Sequence, residues 1–234
     1  MENGQENMLG VYYRVQQTEF GNPIRIIAGF PGTGKSTFCK QYQNAIDFGC
    51  MPFKYSNFFE FARKYTTETI KASEELDFVW NWQEQYTQAL MDAYEEYPDQ
   101  MFVIPSEGRI LECLEQKNLS FFLVYPCREA RIEYVERYRK RGNTELFIEI
   151  FGEEEAWEQW MTMIRRPYCY GISIELKSGQ FLSDVITPIS YNEERIIEEK
   201  ESYLERRYFS QENTNITATK MRERTIEKIM EKLL

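Results

Sequence analysis

The sequence predicts an α/β protein built on a five-stranded parallel sheet with helices on both faces, followed by a helical tail. Three observations lead there. Strand-length apolar runs alternate with helix-length segments between residues 24 and 176. The runs at 101–104 and 120–125 are continuously apolar rather than apolar at every second position, the pattern of strands covered on both faces. The first strand also leads through a glycine-rich loop straight into a helix, and in open parallel sheets the ligand crevice lies beyond the carboxyl ends of the strands.

The elements follow in order. Strand one spans 24–28 and its helix 35–42. A short apolar segment, 45–48, makes strand two. Residues 53–98 are aromatic-rich and mostly helical, with Tyr86, Leu90, Ala93, Tyr94 and Tyr97 at helical spacing. Strand three, 101–104, stops at Pro105, and the helix 108–116 carries Ile110, Leu111 and Leu114 on one face. Strand four, 120–125, ends at Pro126. The basic helix 128–141 stops at Gly142-Asn143. Residues 144–165 read as one helix, or as two broken at Gly152, and 172–176 as strand five. Beyond Pro188 the character changes: 191–209 and 217–234 are charged helices, and Ile226, Ile229, Met230 and Leu233 form an apolar stripe on the last. Residues 1–188 are therefore read as one domain and 189–234 as a C-terminal helical extension. The extension either packs back on the domain or forms a homodimer.

Gly29-Phe30-Pro31-Gly32-Thr33-Gly34-Lys35-Ser36 has the spacing of a phosphate-binding loop, and a strand before with a helix after is the context that loop requires. A polyphosphate needs several N–H donors converging on it, and glycines let the backbone wrap closely. Gly32, Thr33, Gly34, Lys35, Ser36 and Thr37 are thus expected to bind a nucleoside triphosphate. Lys35 would reach the β- and γ-phosphates, the Ser36 hydroxyl would ligate Mg²⁺, and Thr37 would approach the α-phosphate.

Composition narrows the chemistry. The 234 residues suffice for one domain plus a tail, and 42% hydrophobic content suits a globular fold. No apolar run approaches the roughly 20 residues of a membrane span, and the polar N-terminus lacks a signal-peptide pattern. The five scattered cysteines read as free thiols in a cytoplasmic protein. A net charge of −10 argues against duplex nucleic acid as a partner. With no histidine in the chain, Ser-His-Asp and Cys-His nucleophiles are excluded. Carboxylates, lysine, arginine, a metal and the backbone remain, an inventory that suits phosphoryl transfer.

Three further groups bear on the reaction. Asp47 ends strand two in the same crevice as the loop, where it would hold Mg²⁺ or accept a proton, or else shape the turn before Phe48-Gly49. The segment 128–141 carries six positive and three negative side chains, and Arg137 and Arg141 share a helix face. It reads as a lid neutralising the transferring phosphoryl group, with Arg165 and Arg166 as another wall, or as a solvated helix face. Glu107 follows strand three and would either contact metal or substrate or begin a helix. Arg63, Lys64 and Arg109 are candidates for an acceptor phosphate.

Together these pieces resemble the nucleoside-monophosphate-kinase branch of P-loop proteins, in particular the adenylate-kinase-like or nucleotide-kinase-like proteins common in bacteriophages and their hosts. The resemblance rests on Ile26-Ile27-Ala28-Gly29-Phe30-Pro31-Gly32-Thr33-Gly34-Lys35-Ser36-Thr37, Ala45-Ile46-Asp47, Val124-Tyr125-Pro126, the run from Tyr134 to Asn143, and Phe181-Leu182-Ser183-Asp184-Val185-Ile186. It covers roughly residues 24 to 187. It implies a three-layer P-loop NTPase fold with an acceptor-site insert at about 53–98 and a lid at about 128–166. It also implies an ATP- and Mg²⁺-dependent kinase acting on a nucleotide or nucleoside-like acceptor, with Lys35, Asp47, Arg137 and Arg141 as catalytic residues and Ser36 and Asp47 at the metal. Such proteins usually carry Asp-x-Asp-Ser after strand two, where this chain has Asp47-Phe48-Gly49-Cys50, and a Ser/Thr-His pair after strand three, where it has Ser106-Glu107. Both departures fall at the acceptor side. They leave two alternatives: a polynucleotide or modified-base kinase acting on single-stranded nucleic acid, and a non-catalytic nucleotide-binding regulator.

Overall fold

The computed structural model describes residues 13–14, 24–59 and 76–187. Five parallel strands form its sheet: β2 (Ile26–Gly29), β3 (Ala45–Asp47), β4 (Met101–Pro105), β5 (Phe121–Pro126) and β6 (Gly171–Leu176), in the order β3-β4-β2-β5-β6. A second, two-stranded parallel sheet pairs β1 (Tyr13–Arg14) with β7 (Ile186–Thr187). The sequence gives no hint of that pair, because a two-residue strand has too few positions to show a period.

Strands β2, β4 and β5 are apolar because both faces are covered, whereas the edge strand β6 exposes Ser173 and Glu175. Alternate residues divide cleanly between two cores. Ile26, Ala28, Phe102, Ile104, Phe121 and Leu123 lie in one, together with residues of helices α3 (Trp82–Glu96), α4 (Gly108–Gln116), α5 (Arg131–Lys140) and α7 (Glu154–Ile164). Ile27, Met101, Val103, Phe122 and Val124 lie in the other, with Phe38 and Cys39 of α1 (Lys35–Gln41) and with Leu182, Val185 and Ile186. Prolines 105 and 126 close β4 and β5 as expected, since proline brings no ladder N–H.

Several details refine the sequence reading, and of its two alternatives for 144–165 the break at Gly152 is the one observed. The basic segment opens as a 3-10 turn (Arg128–Ala130) before α5 begins. The stretch 144–165 is two helices, α6 (Glu145–Gly152) and α7, and Glu153 serves as C-cap of one and N-cap of the other. The break is packed tightly: a Cβ on Gly152 would stand 2.7 Å from Cγ2 of Val135, so glycine lets α6 lie against α5. A short helix α2 (Met51–Lys54) follows β3. Buried Arg25, just before β2, donates to the carbonyls of Tyr94 (2.7 Å), Tyr97 (2.8 Å) and Gln100 (3.2 Å), closing the end of α3 and the turn beyond it. Among the described residues no helix is long and apolar enough to cross a membrane. The C-terminal extension 189–234, its proposed homodimer, Arg63 and Lys64 lie outside the described residues.

Candidate functional site

The loop leaves β2, the central strand, at the point where the chain order across the sheet reverses, and turns back into α1. Gly32 and Gly34 hold φ at +87° and +89°, the left-handed region that favours glycine. Internal bonds fix the turn. The hydroxyl of fully buried Thr33 donates to the Phe30 carbonyl at 2.8 Å, and the Thr33 carbonyl accepts from the Leu182 N–H at 2.8 Å. The Phe30 N–H donates to the Val124 carbonyl of β5 at 2.9 Å.

The two residues after the glycines are both held by side-chain hydrogen bonds. Lys35 Nζ donates to the carbonyls of Gly29 (2.8 Å) and Phe30 (3.1 Å). Its ammonium is enclosed, and burial lowers its pKa to about 8; Asp47 opposes that shift and the nearby Arg141 adds to it. The Ser36 hydroxyl donates to Asp47 Oδ2 at 2.8 Å. Asp47 stands at the end of β3, paired across β4 at Val103. Lys35, Ser36 and Asp47 are therefore brought together as the sequence expects. Thr37 is exposed on α1.

Arg137 reaches the same loop, but it is tethered. Its guanidinium donates to the carbonyls of Gly32 and Gln180, each at 3.1 Å, pairs with Glu133, and lies 3.9 Å over the ring of Phe181. Glu133 also accepts from Ser178 Oγ (2.6 Å) and the Gly179 N–H (3.0 Å). Burial tends to raise the Glu133 pKa, but the Ser178 and Gly179 hydrogen bonds and the Arg137 charge together hold it below the usual carboxylate range. Arg141 sits at the C-cap of α5 with its side chain exposed. Arg165 pairs with Glu175, and Arg166 with Glu112 at 2.8 Å. These two sit in surface ion pairs rather than in a lid wall over the loop.

Beside the loop lies a cavity of about 400 Å³. It is lined by Pro31, Pro105 and Ser106, by Cys50, Lys54 and Tyr55 of the α2 region, and by Phe147, Phe151 and Trp160 of α6 and α7. Trp82 also lines it. Burial pushes the Cys50 thiol up, which leaves it protonated and inert. Glu107 lines the cavity and N-caps α4, accepting from the Ile110 N–H at 3.0 Å, so the helix-starting role open in the sequence is the one observed. Arg109 lines a different groove, with Asn81, Glu84 and Glu112. Among the described residues no cluster of three or more His, Cys, Asp or Glu stands ready to cage a metal. Mg²⁺ bound through one carboxylate, one hydroxyl and phosphate oxygens needs no such cage.

The sequence reading missed Phe30. Its ring is packed by Tyr134, Phe151, Trp157 and Trp160 at centroid distances of 5.8–6.4 Å, three of them edge-on. Tyr138 adds a hydrogen bond to the Pro31 carbonyl at 3.0 Å. The only local signal was an aromatic residue in a loop otherwise made of small ones. Compared with known proteins, the chain matches no family model, and no curated protein sequence matches it.

Proposed function

We propose that this chain is a phosphotransferase of the three-layer P-loop NTPase fold. It would move the γ-phosphoryl group of ATP to a nucleotide or nucleoside-like acceptor, in a Mg²⁺-dependent reaction. The observation that carries the reading is the Ser36–Asp47 hydrogen bond at 2.8 Å, formed beside an enclosed Lys35 at the mouth of a positive-φ glycine loop. A hydroxyl and a carboxylate so paired make a two-point seat for a hard cation. Bound there, Mg²⁺ would neutralise charge on the phosphates. The loop N–H groups and Lys35 would hold the donor, and Lys35 would exchange the Gly29 and Phe30 carbonyls for phosphate oxygens. Arg137 and Arg141 would stabilise the equatorial oxygens of the transferring group, Arg137 after release from its carbonyl partners. The cavity beside the loop would receive the acceptor, with α6 and α7 as its outer wall.

The test is mass-spectrometric product detection after incubation with ATP and Mg²⁺. The acceptors would be all ribo- and deoxynucleosides, their monophosphates and a short oligonucleotide, with Lys35→Ala as control. A phosphorylated product that requires Lys35 is the expected result. Product from the oligonucleotide alone would favour a kinase of single-stranded nucleic acid. ATP binding without product from any acceptor would favour the non-catalytic regulator.

A further inference from the structure

On the phosphotransferase reading, we propose that the acceptor is an uncharged, planar, hydroxyl-bearing molecule of nucleoside size, and that the cavity is built to refuse a monophosphate. A cavity of about 400 Å³ suits one such molecule. Aromatic side chains are prominent in its lining, among them Tyr55, Trp82, Phe147, Phe151 and Trp160. Aromatic faces hold a planar ring by stacking, with little regard to which base it is.

The charge inventory argues against a phosphate on the acceptor. A phosphate monoester carries about two negative charges, and proteins usually meet it with a cluster of arginines or several N–H donors. Among the described residues the lining carries one cation, Lys54, and one carboxylate, Glu107. Lys54 already lies 5.6 Å over the Tyr55 ring and 6.0 Å over the Phe78 ring. Of the other basic side chains among the described residues, four are engaged elsewhere, and Arg141 sits on the donor side near Lys35. Arg109 faces its separate groove, Arg165 and Arg166 are ion-paired, and Arg137 is tied to the loop. Among the described lining residues, a dianion in the cavity would meet Glu107 with no guanidinium to offset it.

Glu107 is well placed for the alternative. The Gly29 carbonyl accepts from both Lys35 Nζ (2.8 Å) and the Ser106 N–H (3.3 Å), so one oxygen joins the donor lysine to the residue preceding Glu107. An acceptor hydroxyl beside Glu107 lies next to the phosphoryl site. In the transfer, the hydroxyl oxygen bonds to the γ-phosphorus while the bond to the bridging β–γ oxygen breaks. That oxygen leaves with its electron pair on ADP, and the hydroxyl proton passes to the Glu107 carboxylate.

The experiment compares each uncharged nucleoside with its own 5′-monophosphate. Binding is measured with Mg²⁺ and a non-hydrolysable ATP analogue present, and transfer is measured separately from labelled ATP. The expected result is at least one nucleoside bound about tenfold or more tightly than its monophosphate. Leu146→Arg, at a cavity-lining side chain that is 64% exposed and so tolerant of change, should narrow that ratio about tenfold by supplying the missing cation. Equal or tighter binding of the monophosphates, or no binding of any nucleoside, overturns the inference. If monophosphates are phosphorylated in a Lys35-dependent way, only this inference falls and the phosphotransferase reading stands. If nucleosides bind selectively but no phosphoryl group moves, the cavity assignment stands and the phosphotransferase reading falls.

Discussion

Ser36, near the start of α1, and Asp47, at the end of β3, are joined by a 2.8 Å hydrogen bond across the crevice beside the central strand. On the proposed reading, each side chain would hold the other in place for a shared cation. Asp47→Asn keeps the shape and removes the charge, so Mg²⁺-dependent transfer should fall by about 10²-fold or more while the melting temperature stays close to that of the parent. Initial rates across a Mg²⁺ titration read this directly. A variant with full activity at low Mg²⁺ would remove Asp47 from the metal site.

Lys35 gives a pH signature of definite sign. Its folded pKa of about 8 lies below the 10.5 of a free lysine. The folded state therefore binds fewer protons than the unfolded chain between those values, and the stability cost of the buried ammonium is fully present below pH 8. That cost is relieved as pH rises from 8 towards 10.5. Lys35→Met should raise stability at pH 7 by about 2 kcal/mol, with the difference shrinking at pH 10. Denaturant melts at both pH values give the comparison.

The same pKa governs nucleotide binding. A bound polyphosphate favours the charged lysine, so at pH 8.5 ATP should bind with net proton uptake, and its affinity should weaken as pH rises further. Calorimetry in two buffers of different ionisation enthalpy measures the proton count. Zero uptake would mean that the lysine does not meet the phosphates.

Arg25→Met should cost about 2–4 kcal/mol, because three carbonyls at the end of α3 lose a buried charged donor at once. Arg25→Lys should recover only part of this, since a single ammonium cannot reproduce the fork that serves three carbonyls. Equilibrium unfolding of the two variants separates them.

Gly152→Ala inserts a methyl 2.7 Å from Val135 Cγ2 and should destabilise by about 1–3 kcal/mol. Val135→Ala in the same chain should recover much of the loss, as neighbours sharing one space couple. Independent, additive effects in the double-mutant cycle would contradict the packing.

The parts of this molecule legible in the sequence are those with local signatures. The strands at 101–104 and 120–125 appeared as continuous apolar runs, and helix α4 was read with its observed ends, Gly108 and Gln116. Lys35 and Ser36 followed from glycine spacing, and Asp47 from its place at a strand end. What stayed hidden depends on residues distant in the chain. Glu133 shows its role only when the 178–179 turn folds onto α5. The acceptor-side cavity draws on α2, the end of β4 and α6–α7, three stretches with no shared pattern in the sequence. Arg137 was read as a lid residue from its place in the basic segment, but its tether on Gly32 and Gln180 needed the three-dimensional contact. Arg109, Arg165 and Arg166 show the converse: charge alone suggested a site, and geometry gave each a neighbour elsewhere.

Phe30 has a consequence of a different kind. It belongs to the loop by sequence and to the aromatic wall by packing, with its ring against two indoles, Trp157 and Trp160. A shift of the loop cannot leave the wall of the neighbouring cavity where it was: the two halves of the crevice work as one mechanical linkage with a phenyl ring as its pin. The indoles at that pin make the linkage visible, so the protein carries its own optical gauge, and movement of the glycine loop is reported as a change in tryptophan emission without any label.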